Sequence, residues 1–197
     1  TFRGGLTVTC GDIDYDGKDE VIVATASRGG NVAVYGGDGK FWGLSIFPFG
    51  QAYKGGLSVA YGTFRENQPS LAVGTLAGAN GRVKVISPDK NFKVWGDFYP
   101  FGPNFKSGTN VVAADVDGDA ISEVISAVAS NGTPHVLAYN TVGKIKNQIN
   151  FFAFDQSERG GVNLAATNKK LTVWPAKIAT TIDNFFCRTH RCVALTF

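Results

Sequence analysis

Nine residues near the start of the chain carry the clearest chemistry: Asp12-Ile13-Asp14-Tyr15-Asp16-Gly17-Lys18-Asp19-Glu20. Carboxylates stand at the first, third and fifth positions, a glycine follows, and an acid closes the run at the ninth. Alternate spacing lets a curled loop turn several oxygens on one centre, and the glycine takes the sharp, left-handed bend. The backbone carbonyl of Lys18 can add an oxygen at the seventh position, and Glu20 can close the shell. Hard oxygen donors in that number suit Ca2+ rather than a soft transition metal. Val21-Ile22-Val23-Ala24 follows at once and no helical pattern flanks the loop, so the ligand set lies between strands and is not an EF-hand.

The spacing returns at Asp115-Val116-Asp117-Gly118-Asp119-Ala120-Ile121-Ser122-Glu123, with Val124-Ile125-Ser126 as the following strand. Here the turn glycine is replaced by Ala120. A left-handed alanine costs roughly 1–2 kcal/mol, so this second site is expected to be the weaker of two. The alternative is a pair of solvated acidic turns.

The elements that position these loops repeat. Gly5, Gly56, Gly108 and Gly161 each open a run of one kind, at steps of 51, 52 and 53 residues. A period of that size indicates a solenoid, a propeller or an array. Each unit holds four strand-like runs separated by glycine-rich turns: in the first, Leu6–Cys10, Val21–Ala26, Asn31–Tyr35 and Trp42–Phe49. The reading is all-β: one β-propeller over 1–197, with four blades of four antiparallel strands at about 1–52, 53–104, 105–157 and 158–197. Four blades can close a ring; the alternatives are part of a larger ring, or a half-ring that dimerises. Units end on alternating aromatics, as in Phe47-Pro48-Phe49-Gly50 and Tyr99-Pro100-Phe101-Gly102, which are expected to pack one outer strand against the next blade. Unit two has Arg65 where a ligand would stand, and unit four shortens the loop to Thr167-Asn168-Lys169-Lys170.

The Gly-Gly-Leu-x-Val opening, the acidic loop, the Val-Ile-Val-Ala strand and the aromatic tail resemble the FG-GAP repeat family, which includes the integrin α-chain propeller. The resemblance implies a calcium-binding propeller, secreted or at the cell surface. It implies ligands at Asp12, Asp14, Asp16, Glu20 and the Lys18 carbonyl. In the third unit it implies Asp115, Asp117, Asp119, Glu123 and the Ile121 carbonyl.

Composition narrows the function. Nine of the 16 acidic residues sit in the two loops, against 19 Lys and Arg, so bound Ca2+ would leave the surface strongly cationic. Arg3, Lys54, Lys106 and Arg159 precede the opening glycines, and a fourfold ring would set them on one rim to bind an anionic glycan or an acidic protein surface. A solvated cation beside each turn is the plainer account. Cys187 and Cys192 flank a four-residue turn and read as a disulfide of an exported protein, with a Cys-His-Cys metal site through His190 as the alternative. Cys10 lies in an apolar run and reads as a small buried group. No apolar run reaches the ~20 residues of a membrane span. The histidines are His135 and His190, and no nucleophile–base pairing is visible, so a binding or adhesion module is expected rather than an enzyme. No nucleic-acid partner is expected. The alternatives are a self-assembling structural subunit of an extracellular fibre or coat, and a lectin stacking sugars on Trp42, Trp95 and Trp174 between blades.

Overall fold

Backbone N–H and C=O groups must be paired wherever they are buried, and short β-branched runs cut by glycine turns satisfy them by pairing as strands. The computed structural model describes residues 2–76, 78–167, 170–176 and the backbone of 193–196. Among these the regular elements are all strands, every pairing is antiparallel, and no helix is long and apolar enough to cross a membrane.

The strands form four separate sheets in chain order. The first holds β1 (Leu6–Gly11), β2 (Glu20–Thr25), β3 (Val32–Tyr35) and β4 (Phe41–Ile46). The second holds β5 (Leu57–Arg65), β6 (Gln68–Thr75), β7 (Val83–Ile86) and β8 (Val94–Phe98). The third holds β9 (Thr109–Ala114), β10 (Glu123–Val128), β11 (His135–Tyr139) and β12 (Ile145–Phe152). The fourth shows β13 (Val162–Thr167), β14 (Lys170–Pro175) and β15 (Val193–Thr196). The expected strand Thr180–Asn184, together with Cys187, Cys192 and His190, lies outside the described residues.

The repeat shows in the backbone. The carbonyls of Gly5, Gly56, Gly108 and Gly161 accept the N–H of Ala26, Leu76, Ala129 and Ala176 respectively, closing each sheet at the same point. Sheets then stack in series: β1 packs on β5, β5 on β9 and β9 on β13. No comparable contact joins β13 or β14 to β1 among the described residues. Three cores result, one per junction. Ile22, Val34 and Ile46 meet Leu57 and Val73 at the first. Phe64 and Val85 meet Val111 and Val124 at the second, and Ile125 and Val136 meet Val162 and Leu171 at the third.

Three expectations change. In the first two units the aromatic tails are turns, not strand ends: Gly50 N–H donates to the Phe47 carbonyl at 2.9 Å and Gly102 N–H to the Tyr99 carbonyl at 3.1 Å. Their rings still reach the next unit, with Phe49 and Tyr53 centroids 5.7 Å apart and Phe101 and Phe105 5.3 Å apart. In unit two, with no acidic loop to accommodate, β5 and β6 pair out to Arg65 and Gln68 and turn at Asn67, which has φ 50. Cys10 is exposed, because β1 alternates and its outward positions have no sheet against them among the described residues.

The sheets approach so closely that some positions exclude any side chain. A Cβ on Gly56 would lie 1.9 Å from the Ala26 carbonyl oxygen of the preceding sheet. At Gly17, φ is 85 but the space is open. Gly56→Ala is therefore expected to lower unfolding stability by about 3 kcal/mol, at the upper end of overpacking. Gly17→Ala should cost only about 1–2 kcal/mol, from backbone strain alone. Urea unfolding of both variants checks the order.

Candidate metal centres

The β1–β2 and β9–β10 connections fold alike, and the reason lies in where each carboxylate is used. Glu20 Oε2 accepts the Ile13 N–H at 3.1 Å, and Glu123 Oε2 accepts the Val116 N–H at 3.0 Å. Both glutamates are buried, at 5% and 1% exposure, so each draws its loop down onto the sheet edge. Asp12 then accepts the N–H groups of Asp16 and Gly17, while Asp115 accepts those of Asp117, Gly118 and Ala120. The turn is thus written around its first carboxylate.

One oxygen from each of Asp12, Asp14 and Glu20 lies within 4.8 Å of the others, and the same holds for Asp115, Asp117 and Glu123. Each triad could hold a metal ion; the oxygen-only donor set fits a hard cation. Asp16 and Asp119 do not join the triads. Their Oδ1 atoms accept the Lys18 and Ile121 N–H groups, each at 2.8 Å, and so fix the turn that carries those two carbonyls.

The expected difference between the loops has another origin. Ala120 does adopt a left-handed conformation, at φ 65, but Tyr15 does so in the first loop at φ 63. Each loop needs two left-handed residues, at its fourth and sixth positions. The first spends its glycine on the sixth (Gly17, φ 85) and the second on the fourth (Gly118, φ 82). Backbone strain is therefore matched, and Ala120 does not make the second site weaker.

Lys146 separates them. It projects from β12, and its Nζ contacts Asp117 Oδ2 and lies 3.3 Å from Glu123 Oε1. An ammonium thus stands where the second triad would hold an ion. Lys146 holds the Asp117 carboxyl below its usual range, and Asp117 raises the lysine in turn. Burial pushes the Glu123 carboxyl up. In the first loop the only ion pair among the described residues is Lys18 to Asp16 at 3.4 Å, with the lysine side chain 82% exposed. That pair lies outside the triad, which is left without a protein cation among the described residues.

Strand β5 braces both loops. Tyr61 Oη donates to the Asp12 carbonyl at 2.8 Å, and burial pushes that phenol up, reinforced by Tyr15, Asp12, Asp19 and Glu20. On its other side, the Thr63 carbonyl accepts the Ser122 N–H at 2.8 Å and the Thr63 N–H donates to Ser122 Oγ at 3.1 Å. Lys146, Tyr61 and Thr63 lie far from the loops in sequence, and no spacing rule reaches them. Arg3, Lys54, Lys106 and Arg159 are all exposed, and none makes an ion pair among the described residues. His135 stacks on Phe152 at 4.6 Å and meets Asn150 at 2.9 Å, as a strand-pairing residue.

No family model matches the chain, and no curated protein does. Among solved structures, the rhamnogalacturonan lyase YesW superposes over 86% of this chain at 16% identity and a TM-score of 0.49. The chain spans 35% of that protein's length. At that level the likeness says nothing of chemistry.

Removing the internal cation exposes its role. Lys146→Met leaves the buried Glu123 and its neighbour Asp117 uncompensated. Unfolding stability in chelator is expected to fall by roughly 1.5–3 kcal/mol, the range for hydrogen bonds to charged groups. Denaturant titration in chelator measures it, and an unchanged midpoint would show that the ammonium neutralises nothing.

Proposed function

We propose that this chain is a Ca2+-stabilised, non-catalytic binding module made of propeller blades of the FG-GAP kind, acting outside the cell or at its surface. The observation that supports this most is the pair of loops with matching backbone, each converging three carboxylates. In the first, Asp12, Asp14 and Glu20 hold the ion, with the Lys18 carbonyl as a further donor. In the third unit, Asp115, Asp117 and Glu123 form the equivalent set, with the Ile121 carbonyl, and Lys146 competes for it. Ca2+, when bound, supplies hard positive charge that ties the loop to the sheet edge. Because Tyr61 joins the first loop to β5, fastening that loop also fastens the junction between the first two sheets.

Binding falls to the exposed cations at the unit openings, Arg3, Lys54, Lys106 and Arg159. They recur once per unit and face solvent, which suits a repeating anion such as an acidic glycan, or an acidic protein surface. Salt should weaken such binding, since exposed charges are screened within about 8 Å at physiological ionic strength.

Calorimetric melting tests the metal reading. Ca2+ at 100 times its Kd should add about 2.7 kcal/mol of stability. Asp14→Asn should abolish the gain, and Lys146→Met should raise the number of bound ions from one to two. Identical melting in Ca2+ and in chelator would overturn it. The cationic reading is tested on an array of acidic and neutral glycans. Combined replacement of Arg3, Lys54, Lys106 and Arg159 by alanine should abolish binding to the acidic members, and undiminished binding would remove that proposal.

A further inference from the structure

The three junctions inside the molecule repeat one set of contacts, and the first sheet carries one half of a fourth. Its outward face presents Leu6 and Val8, each 57% exposed, with Cys10 also exposed and Val21 and Val23 half-buried. The positions that correspond to Leu6 and Val8 in the next sheet are Leu57 and Val59, at 0% and 6%, covered by the first sheet. In the third sheet they are Thr109 and Val111, at 0% and 3%, and in the fourth Val162, at 0%, and the half-buried Leu164. The sequence thus keeps an uncharged, apolar face on the first sheet, at positions that the other sheets bury or half-bury against their predecessors.

Each junction includes a polar link from the second residue of the preceding inner strand. Thr7 Oγ1 donates to the Leu57 carbonyl at 2.9 Å. Ser58 Oγ accepts the Val111 N–H at 3.1 Å, and Asn110 Nδ2 donates to the Val162 carbonyl at 2.8 Å. In the fourth sheet that position is Asn163, opposite Trp174 as Thr7 is opposite Ala24. Asn163 is half-buried and its side chain has no hydrogen-bond partner among the described residues. The fourth sheet does not pack on β1 within the molecule among the described residues, so the two half-junctions stand at opposite ends of the series.

We infer that the open face of the first sheet receives the fourth sheet of a second copy of this chain, head to tail. Asn163 of that copy donates to the Leu6 carbonyl, as Asn110 does to Val162, and its β13–β14 face covers Leu6, Val8 and Val23. A head-to-tail contact uses two different surfaces, and it closes as a two-copy ring when the rotation between copies allows. The inference rests on the stacking alone and holds whether or not the loops carry an ion.

Cys10 makes the test direct. Thr9 Oγ1 lies 3.4 Å from the Tyr61 N at the first junction, and the corresponding pair across the new one is Ala165 and Cys10. Ala165→Cys, treated with a short bifunctional thiol reagent, should give a covalent dimer linked through positions 10 and 165, identified by peptide mass. In sedimentation, Leu6→Lys with Val8→Lys should weaken self-association on the order of 100-fold, from the loss of two buried apolar side chains. Both residues are exposed within one copy, so the melting of the dilute monomer should not change. A 10–165 link within a single chain, wild-type protein that stays monomeric at high concentration, or a dimer indifferent to the two lysines would each overturn the inference.

Discussion

Convergent carboxylates repel, and that repulsion governs this molecule more than any other single interaction. Like charges about 5 Å apart cost roughly 1–3 kcal/mol per pair at the dielectric of a protein surface. The triads cannot relax by swinging away, because Glu20 and Glu123 are buried and tied to backbone N–H groups seven residues earlier. Each loop therefore needs a positive partner. The third unit takes one from its own outer strand, through Lys146. The first unit has no such group among the described residues, so its triad is open to a cation from solution.

That division links the local chemistry to the stacking of the sheets. Both loops lie at the edge where β5 enters, gripped by Tyr61 on one side and by Thr63 on the other. A loop that stays open and repelled loosens its grip on β5, and a neutralised loop holds it. Lys146 thus neutralises the loop beside the junction between sheets two and three, while the loop beside the junction between sheets one and two has no such partner among the described residues.

Much of this was legible in the sequence. The opening glycines gave the period because a close approach of sheets demands them: Gly56 sits where a Cβ would strike the Ala26 carbonyl. The strands followed from alternation, and the triads from the spacing of Asp12, Asp14 and Glu20. What stayed hidden depended on contacts distant in sequence. Lys146 lies 29 residues from Asp117, on a strand whose facing could not be known before the sheet was assembled. The strain assigned to Ala120 alone is shared by Tyr15, because the loop needs two left-handed positions and a single glycine can supply only one. Cys10 reads as core by its neighbours but is exposed, since among the described residues β1 has a sheet on one side only.

The first loop is proposed to take up a hard cation, whereas the third already has Lys146 against its carboxylates. Terbium luminescence excited through tyrosine separates them, because Tyr15 lies within the first loop and Tyr61 bonds to its Asp12 carbonyl. The account predicts sensitised emission that saturates at one equivalent, is displaced by Ca2+, and is lost in Asp14→Asn but kept in Asp117→Asn. Emission that is absent at saturating terbium, or that survives Asp14→Asn unchanged, would contradict it.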